Sequence, residues 1–183
     1  MAPAARPRRP ATSPIQPAAW LPLEAPACVA GPAGAASGVA VADPSAVSAA
    51  VTTNEGAGRC SSASAGLHGT DIGFVHAHAT STPVGDRLEA QAIKAIAGSQ
   101  VPVTSTKSLT GHLLGGAGAL AAIATLQALL TGDLPGTYNV AALDPEVDLN
   151  VITGTASGST ATAGLVNAFG FGGHSAALVV TRA

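Results

Sequence analysis

Three short stretches of this 183-residue sequence carry side chains that could do chemistry, and each of them contains histidine. They are residues 76–78 (HAH), 107–112 (KSLTGH) and 170–174 (GFGGH). Imidazole titrates close to neutral pH, so each stretch could exchange a proton or hold a developing negative charge. If the fold brings the stretches together, the sequence predicts acid–base or anion-stabilising chemistry.

Each stretch taken alone also has a structural interpretation. His76 and His78 would share a face if a strand continued through them, as a metal pair requires, but no third ligand is visible nearby and we predict no metal site. Lys107 and His112 could lie at the mouth of a helix whose dipole disfavours a protonated ring, or His112 could simply cap that helix. The glycines of 170–174 could admit a ligand close to the backbone or form an ordinary hairpin turn.

The pattern of apolar residues predicts helices and strands that alternate around these stretches. An amphipathic helix is predicted at Asp86–Ala97, with acidic residues at its start and Gly98 after its end. A second, almost wholly apolar helix is predicted at His112–Leu130 and should be buried. Short β-prone runs complete the order β-α-β-α-β-β-β, at residues 72–76, 101–104, 148–153, 164–168 and 175–181. The alternation predicts an α/β fold, a mixed sheet with packed helices whose functional loops follow the strands.

The composition changes near residue 65. Residues 1–64 are rich in proline, alanine, glycine and small polar residues, without a helical or alternating pattern. We predict a low-complexity, disordered tail there, with a short helix at Ser45–Val51 as the most that could form. Residues 65–183 are predicted to form the ordered domain.

Charge and cysteine content exclude several classes of protein. Eight basic and ten acidic residues give a net charge of −2, which predicts no nucleic-acid partner and no polybasic membrane patch. The apolar run Leu113–Leu130 contains Thr125, Gln127 and several glycines and lacks flanking anchors, so we do not expect it to span a membrane. Cys28 and Cys60 make no disulfide framework and indicate a reducing, cytoplasmic compartment.

Three motifs occur in an order that resembles the C-terminal half of the β-ketoacyl synthases. They run from His78 to Asp86 (HATSTPVGD), from Lys107 to His112 (KSLTGH) and from Asn167 to His174 (NAFGFGGH). The resemblance is closest to the 3-oxoacyl-[acyl-carrier-protein] synthase II type and implies one half of a thiolase-like layered fold, with no cofactor. It also implies decarboxylative Claisen condensation of malonyl carrier protein with an acyl thioester, in fatty-acid or polyketide synthesis.

The resemblance implies a role for each matching residue. His78 and His112 correspond to the two histidines that bind the malonyl thioester carbonyl and support decarboxylation, and Lys107 corresponds to the lysine beside them. Phe171 corresponds to the gating phenylalanine, whose backbone amide also contributes to the acyl oxyanion hole. These four residues are the candidate site.

Two further positions match, and several others depart from the family. Asp86 and Glu89 correspond to acidic positions that buttress the site, although helix capping alone would also explain these acids. Ala121 stands where the family carries a glutamate partnered with the lysine network, which would leave the lysine without its usual counter-charge. His76 and Ser175 each stand where asparagine is common.

The family's nucleophilic cysteine has no convincing counterpart in this sequence. Cys28 lies too few residues before His78, and the prolines around it argue against the buried helix whose dipole would lower its thiol pKa. Cys60 has less support still. We therefore expect a partial chain that cannot complete acyl transfer alone, with acyl carrier protein, malonyl and acyl thioesters, and a dimeric or complementing synthase half as partners. The alternatives are a noncatalytic, chain-length-determining partner subunit and, with less support, a thiolase.

Overall fold

The computed structural model describes residues 47–53, 65–172 and 174–182, which build a mixed six-stranded sheet with helices on both faces. The strands are β1 (Val47–Thr53), β2 (Phe74–His76), β3 (Pro102–Thr104), β4 (Asn150–Val151), β5 (Ala163–Gly170) and β6 (His174–Arg182). The helices are α1 (Pro83–Ala97), the short α2 (Lys107–Thr110) and α3 (Ala117–Thr131), with single 3-10 turns at Gly69–Asp71 and Leu114–Gly116. The predicted α/β class with a mixed sheet is confirmed.

The order of the strands brings distant parts of the chain to one edge of the sheet. The order is β1-β6-β5-β2-β3-β4. The pairs β5–β2, β2–β3 and β3–β4 are parallel. Strand β6 is antiparallel to both of its neighbours, β5 and β1. Because parallel strands end at the same edge, the segments that follow β2, β3 and β5 all emerge there.

Two apolar layers hold the central strands in place, because alternate strand residues face opposite sides of the sheet. On one side Val75 and Leu165 belong to a buried cluster with Ile93 of α1. On the other side Phe74 belongs to a cluster with Leu129 of α3. Strands β2 and β5 are therefore anchored by hydrophobic burial on both faces, which fixes where their carboxyl ends lie.

Helix α1 carries sequence signals for both of its ends. Pro83 lies in the first turn, where its missing N–H costs nothing, and Asp86 in the same turn suits the positive end of the helix dipole. Lys94 lies in the last turn, and Gly98 follows the helix with φ of 84°. The helix predicted at Asp86–Ala97 is confirmed and begins earlier, at Pro83.

The apolar helix differs from its prediction at its start. The sequence predicts one helix over His112–Leu130, but residues 107–116 form α2 and a separate 3-10 turn, and α3 begins only at Ala117. Gly111 with φ of 71° and Leu114 with φ of 50° both adopt left-handed backbone, which interrupts a right-handed helix. His112 therefore lies in a bent connection between α2 and α3.

The prediction that this helix is buried is wrong for its outer side. Its inner side packs so closely on β5 that a Cβ atom on Gly164 would lie 2.7 Å from Thr125 Cγ2. On the outer side Ile123 is 63% exposed and Leu130 is 50% exposed, because no other part of the described chain covers them. By length and composition, Leu114–Thr131 is long and apolar enough to cross a membrane, a property that it shares with helices packed on a sheet in soluble proteins.

The first strand corrects one prediction about the N-terminal segment. The helix suggested for Ser45–Val51 is wrong, because Val47–Thr53 is a strand that pairs antiparallel with β6, from Val47 opposite Arg182 to Thr53 opposite Ala176. Pairing with an available sheet edge outweighs the weak local preference for helix. Residues 1–46 and 54–64 lie outside the described residues, so the division into a tail at 1–64 and a domain at 65–183 stays a prediction.

Candidate active site

Two of the sequence-predicted histidines meet at the edge where β2, β3 and β5 end. His78 follows β2, and His112 follows α2 on the segment that continues from β3. Their ring centroids lie 5.6 Å apart, and the ring planes are nearly perpendicular, at 82°. The fold thus brings together two imidazoles that are well separated in sequence.

Backbone donors define which nitrogen of each ring is available to a ligand. The N–H of Phe169 donates to Nδ1 of His78 over 3.3 Å, and the N–H of Leu114 donates to Nδ1 of His112 over 3.0 Å. A backbone N–H can only donate, so each Nδ1 acts as an acceptor and each neutral ring carries its proton on Nε2. Both rings can therefore donate a hydrogen bond from Nε2.

The surroundings of His78 keep its ring neutral. Partial burial, followed by the nearby charges of Lys107 and His112, lowers the pKa of His78 from 6.5 to about 4. Burial also lowers the pKa of Lys107, while the charge of Glu89 opposes that shift. Ala121 in α3 is buried and carries no charge, and the negative charge that acts on Lys107 is that of Glu89.

The carboxylate of Glu89 in α1 accepts the hydrogen bonds that hold the segment after β2. Its Oε1 accepts hydrogen bonds from the backbone N–H of His78, over 2.8 Å, and from Nδ2 of Asn167, over 3.0 Å. Its Oε2 accepts from the N–H of Ala79, over 2.8 Å. The residue is only 5% exposed, and this burial raises its pKa, an effect that the three hydrogen bonds oppose. Glu89 therefore links α1, the His78 segment and β5.

The structure gives the side chain of Asp86 no hydrogen bond to the His78 segment, unlike that of Glu89. Asp86 lies one turn before Glu89 on α1, partly exposed, and its charge adds to the rise in the pKa of Glu89. The cap residue Thr82 makes no side-chain capping bond. Of the two acids predicted to buttress the site, Glu89 contacts the His78 segment directly, whereas Asp86 lies at the position of a favourable charge near a helix start.

The histidine pair opens into a cleft of about 290 Å³. Its walls include His78, Lys107, His112, Asn167, Phe169 and His174. A larger cavity of about 670 Å³ lies beside it, between α1 and residues 137–149, and Lys107 and His112 line both. The wall of the cleft contains no cysteine within the described ranges, and no group of three histidine, cysteine or acidic side chains there could hold a metal ion.

The two phenylalanines of the NAFGFGGH motif lie in different surroundings. Phe169 packs against His78, with ring centroids 5.3 Å apart and a tilt of 56°. Phe171 is fully exposed, at 104%, on the turn between β5 and β6 and is not among the residues that line the cleft. Its gating role stays a prediction. Sequence reasoning missed Phe169, Asn167 and His174 as cleft residues, although all three lie in a motif that it had singled out.

A buried histidine gives the protein a specific sensitivity to acid. His76 is 1% exposed, and burial, followed by the charge of Lys107, lowers its pKa from 6.5 to about 4. Between pH 6.5 and pH 4 the His76 ring is protonated in the unfolded chain but not in the folded chain. The free energy of unfolding therefore falls as the pH falls through this range. We expect His76→Gln to remove about 3 kcal/mol of that loss. Urea denaturation of both proteins across this pH range measures the difference, and parallel curves would contradict it.

Comparison with known proteins defines the class to which this fold and site belong. The family model described as "Beta-ketoacyl synthase, C-terminal domain" matches residues 32–141, which is more than half of the chain. The chain belongs to the β-ketoacyl synthase family. A curated relative, 3-oxoacyl-[acyl-carrier-protein] synthase 2 of Synechocystis sp., is 41% identical over 120 residues, which is 64% of this chain and 29% of the relative.

Solved structures agree with this assignment and confirm the thiolase-like fold class. A β-ketoacyl synthase from Burkholderia phymatum superposes with a TM-score of 0.65 at 34% identity, covering 69% of this chain and 31% of that one. A ketosynthase in complex with its chain length factor from Xenorhabdus doucetiae gives a TM-score of 0.68 at 25% identity, covering 77% and 40%. The chain therefore spans between 29% and 40% of the length of these relatives.

Proposed function

We propose that this chain forms the malonyl-binding half of a β-ketoacyl-[acyl-carrier-protein] synthase site. The observation that carries the proposal is the convergence of His78 and His112, each with Nδ1 occupied by a backbone N–H and Nε2 free to donate. Two N–H donors on neighbouring rings that line one cleft suit a thioester carbonyl oxygen that becomes an oxyanion. The proposed substrate is a malonyl thioester of acyl carrier protein, and the carrier protein is part of the name of the Synechocystis relative.

The reaction would proceed by breaking one carbon–carbon bond and forming another. The two Nε2–H groups of His78 and His112 bind the thioester carbonyl, and the carboxylate of the malonyl group leaves as CO2. The electron pair of the broken bond passes to an enolate, whose oxygen the same two donors stabilise, with the positive charge of Lys107 nearby. The enolate carbon then attacks an acyl thioester, a new carbon–carbon bond forms, and the thiolate leaves.

The acyl-bearing cysteine would come from a complementing synthase half. No cysteine lines the cleft among the described residues, and Cys28 and Cys60 both lie outside them. The exposed outer side of α3, with Ile123 and Leu130, supports a complementing half or a second synthase chain as a partner there, since such apolar surface is costly in water. We expect the assembly to act in the cytoplasm.

A noncatalytic, chain-length-determining subunit is the second candidate. Ala121, at the position where the family carries a glutamate, favours it, and a ketosynthase paired with its chain length factor is among the structural neighbours. The paired imidazoles favour the catalytic role, because a subunit that only shapes a tunnel does not need two neighbouring imidazole donors in one cleft.

The test uses the full chain with carrier protein labelled on the malonyl carboxyl group, and separately with acyl-labelled carrier protein. We expect release of labelled CO2 and no hydroxylamine-labile acyl adduct on Cys28. An adduct on Cys28 would contradict the need for an external cysteine. If the chain releases no CO2 but co-purifies with a complete synthase whose activity is unchanged by His78→Ala in this chain, the noncatalytic role is correct instead.

A further inference from the structure

The buried ring of His76 makes contacts that the proposed chemistry does not use. Its Nε2 lies 3.1 Å from Oγ1 of Thr106 and accepts the backbone N–H of Thr106 over 3.3 Å. Since that N–H can only donate, Nε2 is unprotonated and the neutral ring carries its proton on Nδ1. Nδ1 is buried and forms no hydrogen bond within the described residues.

Thr106 is the point at which the segment carrying Lys107 and His112 begins. The carbonyl of Thr106 accepts the N–H groups of Leu109, over 3.0 Å, and Thr110, over 3.1 Å, and so starts the single turn of α2. The orientation of Thr106 therefore sets the direction of this turn and of the connection that follows it.

The contact between His76 and Thr106 extends the strand pairing beyond its last rung. Backbone pairing of β2 with β3 ends at His76 opposite Thr104, with the N–H of Ala77 bonded to the carbonyl of Thr104 over 2.8 Å. The side chain of His76 then reaches past this point to Thr106. This contact joins the end of β2, which leads to His78, with the segment that leads to His112.

We propose that His76 is a positioning residue, which sets the separation of the His78 and His112 rings by holding Thr106 at the start of α2. The inference rests on the proposed function for its effect on catalysis, but the contact itself can be tested apart from it. A side chain at position 76 must be long enough to reach Thr106 and must present an acceptor there. Glutamine meets both needs, because its Oε1 reaches about as far as Nε2 of histidine, whereas leucine offers similar bulk without an acceptor.

The matched pair His76→Leu and His76→Gln tests this role in the full chain. We expect His76→Leu to lower CO2 release from malonyl carrier protein about 10- to 100-fold, mainly through kcat, because small errors in placing catalytic groups are costly. His76→Gln should restore most of the rate. His68→Gln, a change at an exposed histidine, is the control and should leave the rate unchanged. Equal rates for the wild type and His76→Leu would overturn the proposal.

Amide hydrogen exchange separates failure of this inference from failure of the proposed function. Exchange at the Thr106 N–H should accelerate in His76→Leu and return toward the wild-type rate in His76→Gln. Unchanged protection in His76→Leu overturns the positioning role even if the protein releases CO2. If His78→Ala leaves CO2 release unaffected, the proposed function fails, while the exchange of Thr106 still decides whether His76 holds the segment.

A measurement on the wild type covers the case in which neither variant folds. Nitrogen chemical shifts of the His76 ring should show a protonated Nδ1 and an unprotonated Nε2 at neutral pH. A protonated Nε2 could not accept the N–H of Thr106 and would overturn the proposal.

Discussion

Replacing His78 with alanine should lower the rate of CO2 release from malonyl carrier protein by about 100- to 1,000-fold, the usual cost of losing one preorganised oxyanion donor. His112→Ala should have an effect of similar size. The reason lies in the geometry: the two rings are 5.6 Å apart, and each has only Nε2 available to the substrate. One remaining donor cannot replace the other, because each ring is fixed by its own backbone hydrogen bond, from Phe169 or from Leu114.

The double variant adds a stricter test of the same idea. If the two histidines act together on one oxygen, the combined loss should be much smaller than the product of the two single losses. His68→Ala is the matched control, since His68 is exposed and bonds Asp71 through its backbone. Retention of more than about a tenth of the wild-type rate by either single variant would contradict a shared oxyanion site.

Glu89→Ala should cost about 3 kcal/mol of unfolding free energy, because one buried and two partly buried donors would lose their common acceptor. These donors are the N–H groups of His78 and Ala79 and the side-chain amide of Asn167. Such a loss is a large fraction of the stability of an ordinary domain. Urea denaturation at neutral pH measures it, and the crosspeaks of the His78 ring report whether the site also shifts.

Asp86→Ala is the matched control for this prediction, one turn away on the same helix. Asp86 contributes a favourable charge near the start of α1, so its loss should cost no more than about 1 kcal/mol. The comparison decides between the two roles that the sequence left open for these acids. Equal losses in the two variants would mean that both act as ordinary helix-start charges and that Glu89 does not organise the site.

The parts of the fold that the sequence could predict are those with strong local signals. Helix α1 has proline and acid at its start and glycine beyond its end, so local chemistry alone defines it. The start of α3 could not be predicted, because an almost uniformly apolar run hides the left-handed residues Gly111 and Leu114. Strand β1 depends on an edge offered by β6, more than a hundred residues away, which no local pattern around Val47–Thr53 reveals.

Some residues of the candidate site could likewise be predicted from the sequence, and others could not. The motifs identified His78, His112, Lys107 and Glu89, and the structure brings these four together. They could not identify the ring that packs on His78, because Phe169 and Phe171 are both phenylalanines on one glycine-rich stretch and only the path of β5 into its turn separates them. Likewise, no sequence pattern connects His76 to Thr106, since their contact requires the parallel pairing of β2 with β3.

The hydrogen bond from Asn167 to Glu89 can form only late during synthesis on the ribosome. It joins residues 78 positions apart, and the contact from Phe169 to His78 joins residues 91 apart. Both histidines are therefore translated before the strand that orients His78. A nascent chain halted ahead of β5 would display both imidazoles without a competent pocket, so malonyl binding should arise only as the final strands dock.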